Sequence, residues 1–517
     1  MKTLSTFILL IFLFLGCQPK AEYALVVDPL SHLYESELKP FYYGVASGDP
    51  TSSAVVLWTK LVPEDSVPNA KVEWKISTDE DFMNVLQTGE ITVEPSSGYT
   101  AKVDVQDLSP GQTYYYQFEY EGQKSLIGKT KTATSNANQA LNFAVVSCSN
   151  YEFGPFNAYG AIAERNDIDA VIHLGDYIYE YGAKGYGDTT TGRFHLPEHE
   201  ILSLEDYRMR YGQYRLDKDL REVHQMHPFF TIWDDHEIAN NAYKDGAQNH
   251  QDNEGNYMTR KEIARKVYYE WLPIREQEQL YRAVSYGDLA ELILLDERLV
   301  GRTAPAANLK DSVLFEESHT MLGKEQLNWF LDELKSSDAQ WKIIGNQVIF
   351  SYLNWGYPTF DFNMDSWDGY PLEREAILKT IDAEKIEDIV FITGDTHSSW
   401  ALEVTADPSG EYKKKGAYAV EFGTTSINSG NSNERGVADE VIIAHEKKIS
   451  NSSINPHLKY TNLRDHGYLM LRLTKEAATA EWYYTPSRVV SSRNMQLAQK
   501  TVTPSGSNRI ELVDKEE

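Results

Sequence analysis

Cysteine is almost missing from this chain: of 517 residues, only Cys17 and Cys148 carry a thiol. Two cysteines exclude a disulfide framework, so stability has to come from buried cores. Long apolar runs are missing as well. A membrane-spanning helix needs about 20 apolar residues, and the run over residues 4–15 falls short of that. Positive charge is the third scarcity. Lys and Arg number 49 against 77 Asp and Glu, a net charge of −28. That balance gives no electrostatic footprint for nucleic acid, and no specific nucleic-acid binding is expected. An anionic substrate would need locally concentrated cations, and on so acidic a chain metals are the natural source.

What is present begins with a leader. Lys2 precedes the apolar run of residues 4–15, then come Gly16-Cys17 and polar residues. Such a run suits the apolar region of a signal peptide. Gly16-Cys17 reads as a bacterial lipobox, whose cleavage leaves an acylated cysteine; an ordinary signal peptide with an incidental cysteine is the alternative. The expectation is a lipoprotein signal peptide over residues 1–17. The mature protein would be exported and lipid-anchored to the bacterial cell envelope, periplasmic or at the cell surface, touching the membrane only through its anchor.

Hydrophobic residues make up 41% and charged residues 24%, the composition of a globular protein with ample core. The length corresponds to about two to four domains. Residues 18–40 read as a tether. From 41 to 131 the pattern is β. Val55 to Trp58 is a buried run, and Val72, Trp74 and Ile76 alternate with charged residues. Ser109-Pro110-Gly111 is a turn before the aromatic run at Tyr114. This spacing predicts an N-terminal immunoglobulin- or fibronectin-like β-sandwich domain. After a polar linker at 132–139, strands alternate with helices. Residues 141–146 and 170–174 read as strands around a helix at 156–165. Leu327, Phe330, Leu331 and Leu334 mark a helical face before a strand at 341–344, and a helix at 374–381 leads to a strand at 389–393. The fold class is α/β over residues 140–490, with an acidic, mobile C-terminal tail over 501–517. No internal repeat is present.

Four segments put polar groups directly after apolar strands, where open α/β sheets carry their active sites. They are Val146-Ser147-Cys148, His173-Leu174-Gly175-Asp176-Tyr177-Ile178-Tyr179, Trp233-Asp234-Asp235-His236-Glu237 running on to Asn240-Asn241, and Thr393-Gly394-Asp395-Thr396-His397. Each alone is bland: a strand-end cysteine usually packs, and Gly-Asp is often a turn. Together they would bury many acids side by side, which is costly unless cations neutralise them. A multinuclear metal centre is the economical account.

The order Gly-Asp, x-Asp-His-Glu, Gly-x-x-His resembles the calcineurin-like metallophosphoesterases, although the third and last motifs depart from their usual Gly-Asn-His-Asp/Glu and Gly-His-x-His. Those departures match the PhoD-like alkaline phosphatase/phosphodiesterase family. Its marks stand at Gly44–Pro50, His173–Tyr181, Trp233–Asn241, Tyr268–Pro273, Leu295–Arg298, Gly345–Val348, Trp367–Pro371 and Gly394–His397. The likeness spans residues 41 to 485 and implies a metallophosphoesterase sandwich holding Fe³⁺ and Ca²⁺. Thiolate and phenolate suit a transition metal, and carboxylates and amide carbonyls suit Ca²⁺. Carried over by motif, Cys148, Asp176, Tyr179 and His397 would hold iron, with Asp176 as the bridging carboxylate. Asp235, Asp395 and Asn241 (or Asn240) would serve calcium. Arg260 would clamp phosphate, unless it is a solvated helix-surface residue. His236 would position substrate or protonate the leaving group, unless its role is structural. His195, His199, His224 and His227 are left as surface or packing groups.

The expected activity is hydrolysis of phosphate mono- or diesters by a monomer, with a metal-activated oxygen nucleophile. The rival is a cell-surface binding protein whose sandwich captures a polymer, and intact ligands in all four segments argue against it.

Overall fold

Strands that read as unbroken apolar runs form the middle of two sheets, because both of their faces are covered. In a computed structural model, which describes residues 28–514 apart from 65–66, 137, 358–361, 409, 411 and 452, the first sheet has ten strands. Leu141–Val146, Ala170–His173 and Pro228–Thr231 lie side by side in parallel at its centre. Gly467–Leu473, Ala477–Tyr484, Gln496–Pro504 and Glu511–Val513 extend one side antiparallel. The second sheet has seven strands. Its parallel core is Ala290–Leu294, Trp341–Asn346, Ile389–Thr393 and Ala419–Gly423.

The two sheets pack face to face. One core joins Phe143, Val145 and Ile172 of the first sheet to Ile343, Val390, Ile392 and Phe422 of the second. Helices cover both outer faces. Phe330, Leu334, Ile377 and Ile381, from helices Gly323–Ser336 and Pro371–Glu384, close over Ile344 and Phe391. Tyr159, Tyr211 and Val223, from helices Asn157–Ala163, Leu204–Arg215 and Lys218–Met226, lie in the core shared with the first sheet. Helix Leu204–Arg215 starts where the sequence says it should: Ser203 and Asp206 form a reciprocal capping box. The α/β fold class holds, and the layers run helix, sheet, sheet, helix.

Two boundaries differ from expectation. The region 41–131 does pack as a sandwich, around Val45, Val55, Val72, Ile76, Tyr116 and Phe118. Yet one of its layers belongs to the large sheet. Val45–Gly48 pairs parallel with Pro228–Thr231, and Val55–Lys60 and Thr100–Val105 follow it outward. Only Ala70–Ser77, Val85–Val93, Thr113–Tyr120, Gln123–Lys124 and Gly128–Lys131 make a separate five-stranded sheet. Local periodicity cannot reveal a partner strand about 180 residues away. The mobile tail expected over 501–517 is corrected as well. Gln496–Pro504 and Glu511–Val513 are strands, and Thr501 and Thr503 are buried, because the polar run pairs with Ala477–Tyr484 and hides alternate side chains. The leader, Cys17 and residues 515–517 lie outside the described residues. No helix among the described residues is long and apolar enough to cross a membrane.

Candidate metal centre

All four motif-bearing segments leave the C-terminal ends of parallel strands, three from the first sheet and one from the second, and the facing sheets bring these ends together. Two glycines permit the approach. A Cβ on Gly175 would stand 2.3 Å from the Asp234 backbone nitrogen, and one on Gly394 would stand 2.9 Å from Ser147 Cβ. The glycine of each Gly-Asp pair is therefore a contact point between loops.

Cys148, Asp176 and His397 offer ligand atoms within 4.8 Å of one another; so do Asp176, Asp235 and His236, and so do Asp234, Asp235 and Asp395. Asp176 and Asp235 are shared between groups, so the three groups form one continuous cluster. Tyr179 joins the first group: its hydroxyl lies 3.2 Å from Asp176 Oδ2 and 3.2 Å from His397 Nε2. Asn241 joins the last, because its backbone N–H donates to Asp235 Oδ2 at 2.5 Å. The neighbouring Asn240 N–H instead donates to Glu180. Of the two asparagines, 241 is the one held against the carboxylates.

The backbone at these positions is bent in a telling way. Cys148, Asp176, Asn241, Asp395 and His397 have φ of 58°, 56°, 51°, 64° and 56°. Non-glycine residues enter this left-handed region rarely and at a cost, and such strain gathers at functional sites. Here it turns five donor side chains inward from the strand ends.

Several groups hold the loops in that shape. Glu237 accepts from the backbone N–H of Asp176, Tyr177 and Asp234 at 3.1, 2.7 and 2.9 Å. Glu180 accepts from Asn240 N–H, Asn249 Nδ2 and His236 Nδ1, the last at 2.6 Å. Ser429 donates to the Tyr179 hydroxyl oxygen at 2.8 Å, and His397 Nδ1 lies 3.0 Å from the Gly430 carbonyl. Holding Nδ1 on a carbonyl leaves Nε2 of His397 as a donor toward a cation.

Without cations the site resists ionisation. Burial, then Asp176, pushes the Cys148 thiol well up. Burial and Asp176 do the same to Tyr179. Burial raises Asp234 to about 8 and Asp395 to about 7, although Arg298 pulls both down. His397 is pushed down to about 3 by burial and is neutral, the form that could ligate a cation. Burial also works against charge on His236, but Glu180, Asp235 and Asp176 override it and raise it well above the usual imidazole range. The fit to cations can be read directly: Asp234 Oδ2 and Asp235 Oδ1 are buried oxygens without a hydrogen-bond partner. Six acidic groups (Cys148, Asp176, Tyr179, Asp234, Asp235 and Asp395) crowd together here, and the cations of the chain set among them are Arg298, against Asp234, Asp235 and Asp395, and His236, against Asp176 and Asp235.

Sequence reasoning gave Asp234, Glu180, Glu237 and Arg298 no role. Arg298 is wholly buried, pairs with Asp234, and lies 3.8 Å from Asp235, 2.8 Å from Asp365 and 3.3 Å from Asp395. Its signal was its place in the Leu295–Arg298 motif, directly after a strand. The phosphate clamp expected of Arg260 needs correction. That guanidinium is buried and engaged with the Tyr207 hydroxyl, the Asn249 carbonyl and Glu200. It supports the loop whose Asn249 holds Glu180, and it does not face the ligand cluster. His195, His224 and His227 are buried packing groups, while His199 pairs with Asp206 at the surface.

Residues 143–482 match the PhoD-like phosphatase family, and residues 30–134 match its N-terminal domain. The chain belongs to the PhoD-like phosphatase family. It is 36% identical over 493 residues to alkaline phosphatase D of Bacillus subtilis (strain 168), covering 90% of this chain and 82% of that protein. The solved structure of PhoD superimposes with a TM-score of 0.84 at 33% identity, covering 92% of this chain and 93% of the other. As a PhoD-like phosphatase it is a phosphohydrolase acting on phosphate esters, and the metallophosphoesterase fold with its β-rich N-terminal region stands.

Proposed function

We propose that this PhoD-like phosphatase is an exported, lipid-anchored monomer that hydrolyses phosphate mono- or diesters with Fe³⁺ and Ca²⁺. The observation that carries the reading is the convergence of Cys148, Asp176, Tyr179 and His397 beside Asp234, Asp235 and Asp395, with two carboxylate oxygens left unpaired. Thiolate, phenolate and imidazole are donors for Fe³⁺, while Asp235, Asp395 and the Asn241 carbonyl are hard oxygens for Ca²⁺. Asp176, shared between groups, is the natural bridge.

When bound, the cations supply Lewis-acid polarisation of the phosphoryl oxygens and a water acidic enough to be deprotonated at working pH. The chain's own residues do the rest. His236 has Nδ1 fixed on Glu180 and is kept protonated by it, so Nε2 holds a proton beside Asp176 and Asp235 for the departing ester oxygen. Glu237 keeps the Asp176 and Asp234 loops at fixed separation, so that little reorganisation is needed during turnover. Cys17, at the end of the leader, would carry the lipid.

A panel of aryl monoesters, aryl diesters and natural phosphate polymers, assayed after calcium loading, tests the activity and ranks substrates. A calcium-selective chelator should abolish turnover, with Ca²⁺ restoring it and Zn²⁺ restoring it poorly; turnover that survives exhaustive chelation removes calcium from the mechanism. Cys17→Ser should move the protein out of the membrane fraction at unchanged specific activity.

A further inference from the structure

A phosphoryl group held by cations still presents oxygens that face away from them, and an arginine fork is the usual complement. The arginines nearest the centre are committed elsewhere. Arg298 is buried among four carboxylates. Arg260 is buried on Glu200, Tyr207 and Asn249. Arg488 pairs with Asp188 at 2.7 Å and with Glu434 at 3.5 Å.

Arg435 is different. It is exposed, and no ion pair engages it among the described residues. On a chain of net charge −28 an uncommitted guanidinium beside an active site stands out. The turn that carries it is fastened to the metal ligands. Gly430 accepts from His397 Nδ1, and the Ser429 hydroxyl stands 2.8 Å from both the Tyr179 hydroxyl oxygen and the Cys148 carbonyl. Glu434, the next residue back, is turned inward onto His466 at 3.2 Å and accepts the Asn431 N–H. That leaves Arg435 on the outer side of the turn.

The Tyr186 hydroxyl donates to the Gly430 carbonyl of the same turn at 3.4 Å, and the Arg435 guanidinium is near enough to pull against the upward push that burial gives Tyr186. The Tyr186 ring stands 5.7 Å from that of Tyr179 and 5.5 Å from that of Tyr181, which in turn lies 5.5 Å from His236. Tyr181, Tyr186, Asp395 and His397 are all half-buried, so the centre opens to solvent along this edge.

We infer that Arg435, beside the Tyr186 hydroxyl, grips a non-bridging oxygen of the substrate phosphate at the mouth of the centre, the task that sequence reasoning gave to Arg260. The inference rests on the phosphatase reading. Arg435 sits one ring beyond Tyr179, close enough to His397 for its charge to be felt there. Its exposure before substrate arrives lets phosphate enter without a desolvated cation having to be maintained in the empty mouth.

Calorimetric titration of inorganic phosphate into the protein as purified tests this, alongside KM and kcat for an aryl monoester. Arg435→Ala should weaken phosphate binding about ten- to hundredfold, the range of a lost charged hydrogen bond. KM should rise in parallel, with kcat changed less, and melting temperature and metal content should equal those of the parent. Arg435→Lys should recover part of the affinity. Unchanged phosphate affinity in Arg435→Ala overturns the assignment. So does a loss that tracks a lowered melting temperature or metal content and that lysine does not repair. A parent protein that neither binds phosphate nor turns over ester would overturn the phosphatase reading itself, whatever the variants do.

Discussion

Asp235 and Glu237 stand two residues apart after the same strand, both buried, and their oxygens meet opposite fates. Glu237 accepts three backbone N–H groups and leaves neither oxygen unpaired. Glu297 does likewise with Gln347 N–H, Val348 N–H and Trp367 Nε1, and Glu421 with Phe350 N–H, Ser351 N–H and the Thr393 hydroxyl. Asp235 and its neighbour Asp234 each keep one oxygen without a partner. Burial alone does not distinguish these groups, and an unpaired oxygen alone does not either, since Asp296 Oδ2 and Glu373 Oε1, outside the cluster, also lack partners. Glu237, Glu297 and Glu421 are clamps that shape the loops, whereas Asp234 and Asp235 combine a missing partner with further ligand atoms close by, the arrangement a cation needs.

The largest expected effect breaks the pairing on the cation side. Asp235→Asn should cut turnover about a thousandfold or more, the equivalent of several kcal/mol of lost charge stabilisation. The metal-free variant should also melt lower than the metal-free parent, because Arg298 and His236, which hold the Asp235 carboxyl well below the usual range, lose a charged partner. Metal content, turnover and melting curves read this together, and a variant that keeps turnover would put Asp235 among the clamps.

Arg298 offsets both groups from the centre, and its removal strands several acids at once. Arg298→Met should destabilise the protein by about 3–5 kcal/mol in denaturant titration, as expected when one partner of a buried ion network is lost. A smaller loss would mean that the carboxylates around it are protonated in the native state.

Glu237→Gln sharpens the comparison from the clamp side. It should cost about 1–3 kcal/mol of stability, since an amide cannot accept every N–H that the carboxylate accepts. Binding of metal should survive at saturating concentration. If the variant loses metal but no stability, Glu237 belongs with the ligands.

How much of this could be read beforehand follows from the physics of each feature. Parallel strands buried on both faces announce themselves as apolar runs, so Leu141–Val146 and Ile389–Thr393 were legible, and with them the candidate ligands two to four residues beyond. The parallel pairing of Val45–Gly48 with Pro228–Thr231 was not, because strand pairing across the chain leaves no local period. The tail was misread for the same reason: Gln496–Pro504 is polar, and only its partner strand makes Thr501 and Thr503 interior. Arg260 and Arg298 show the limit at the site. Arg260 precedes the Tyr268–Pro273 motif and Arg298 closes the Leu295–Arg298 motif, and only geometry reveals that one is engaged with Tyr207, Asn249 and Glu200 and the other with the carboxylate cluster.

The smallest effect extends the same accounting to a cation in the N-terminal sandwich. Lys60 is buried beside a cavity of about 430 Å³ that shares no residue with the metal centre, and its ammonium lies 4.7 Å from the Trp271 ring centroid. Burial lowers it from 10.5 to about 7, though Glu270 pulls the other way. Between pH 7 and 10.5 the unfolded chain therefore binds the extra proton, and stability rises with pH through that window, by about 1 kcal/mol per pH unit at most. Lys60→Met should flatten that rise in melting temperature; an unchanged slope would assign it to other groups.

The central claim is that the strand-end cluster is a metal centre in which the one thiol among the described residues is a ligand. Metal analysis and visible absorption of the parent and Cys148→Ser, both purified without chelator, test it most directly. The account predicts bound iron with a thiolate- and phenolate-to-iron charge-transfer band in the parent. In the serine variant that band should be shifted or bleached, with iron and kcat falling together and the melting transition still cooperative. Full iron, full colour and full activity in Cys148→Ser, or a parent without metal, would contradict it.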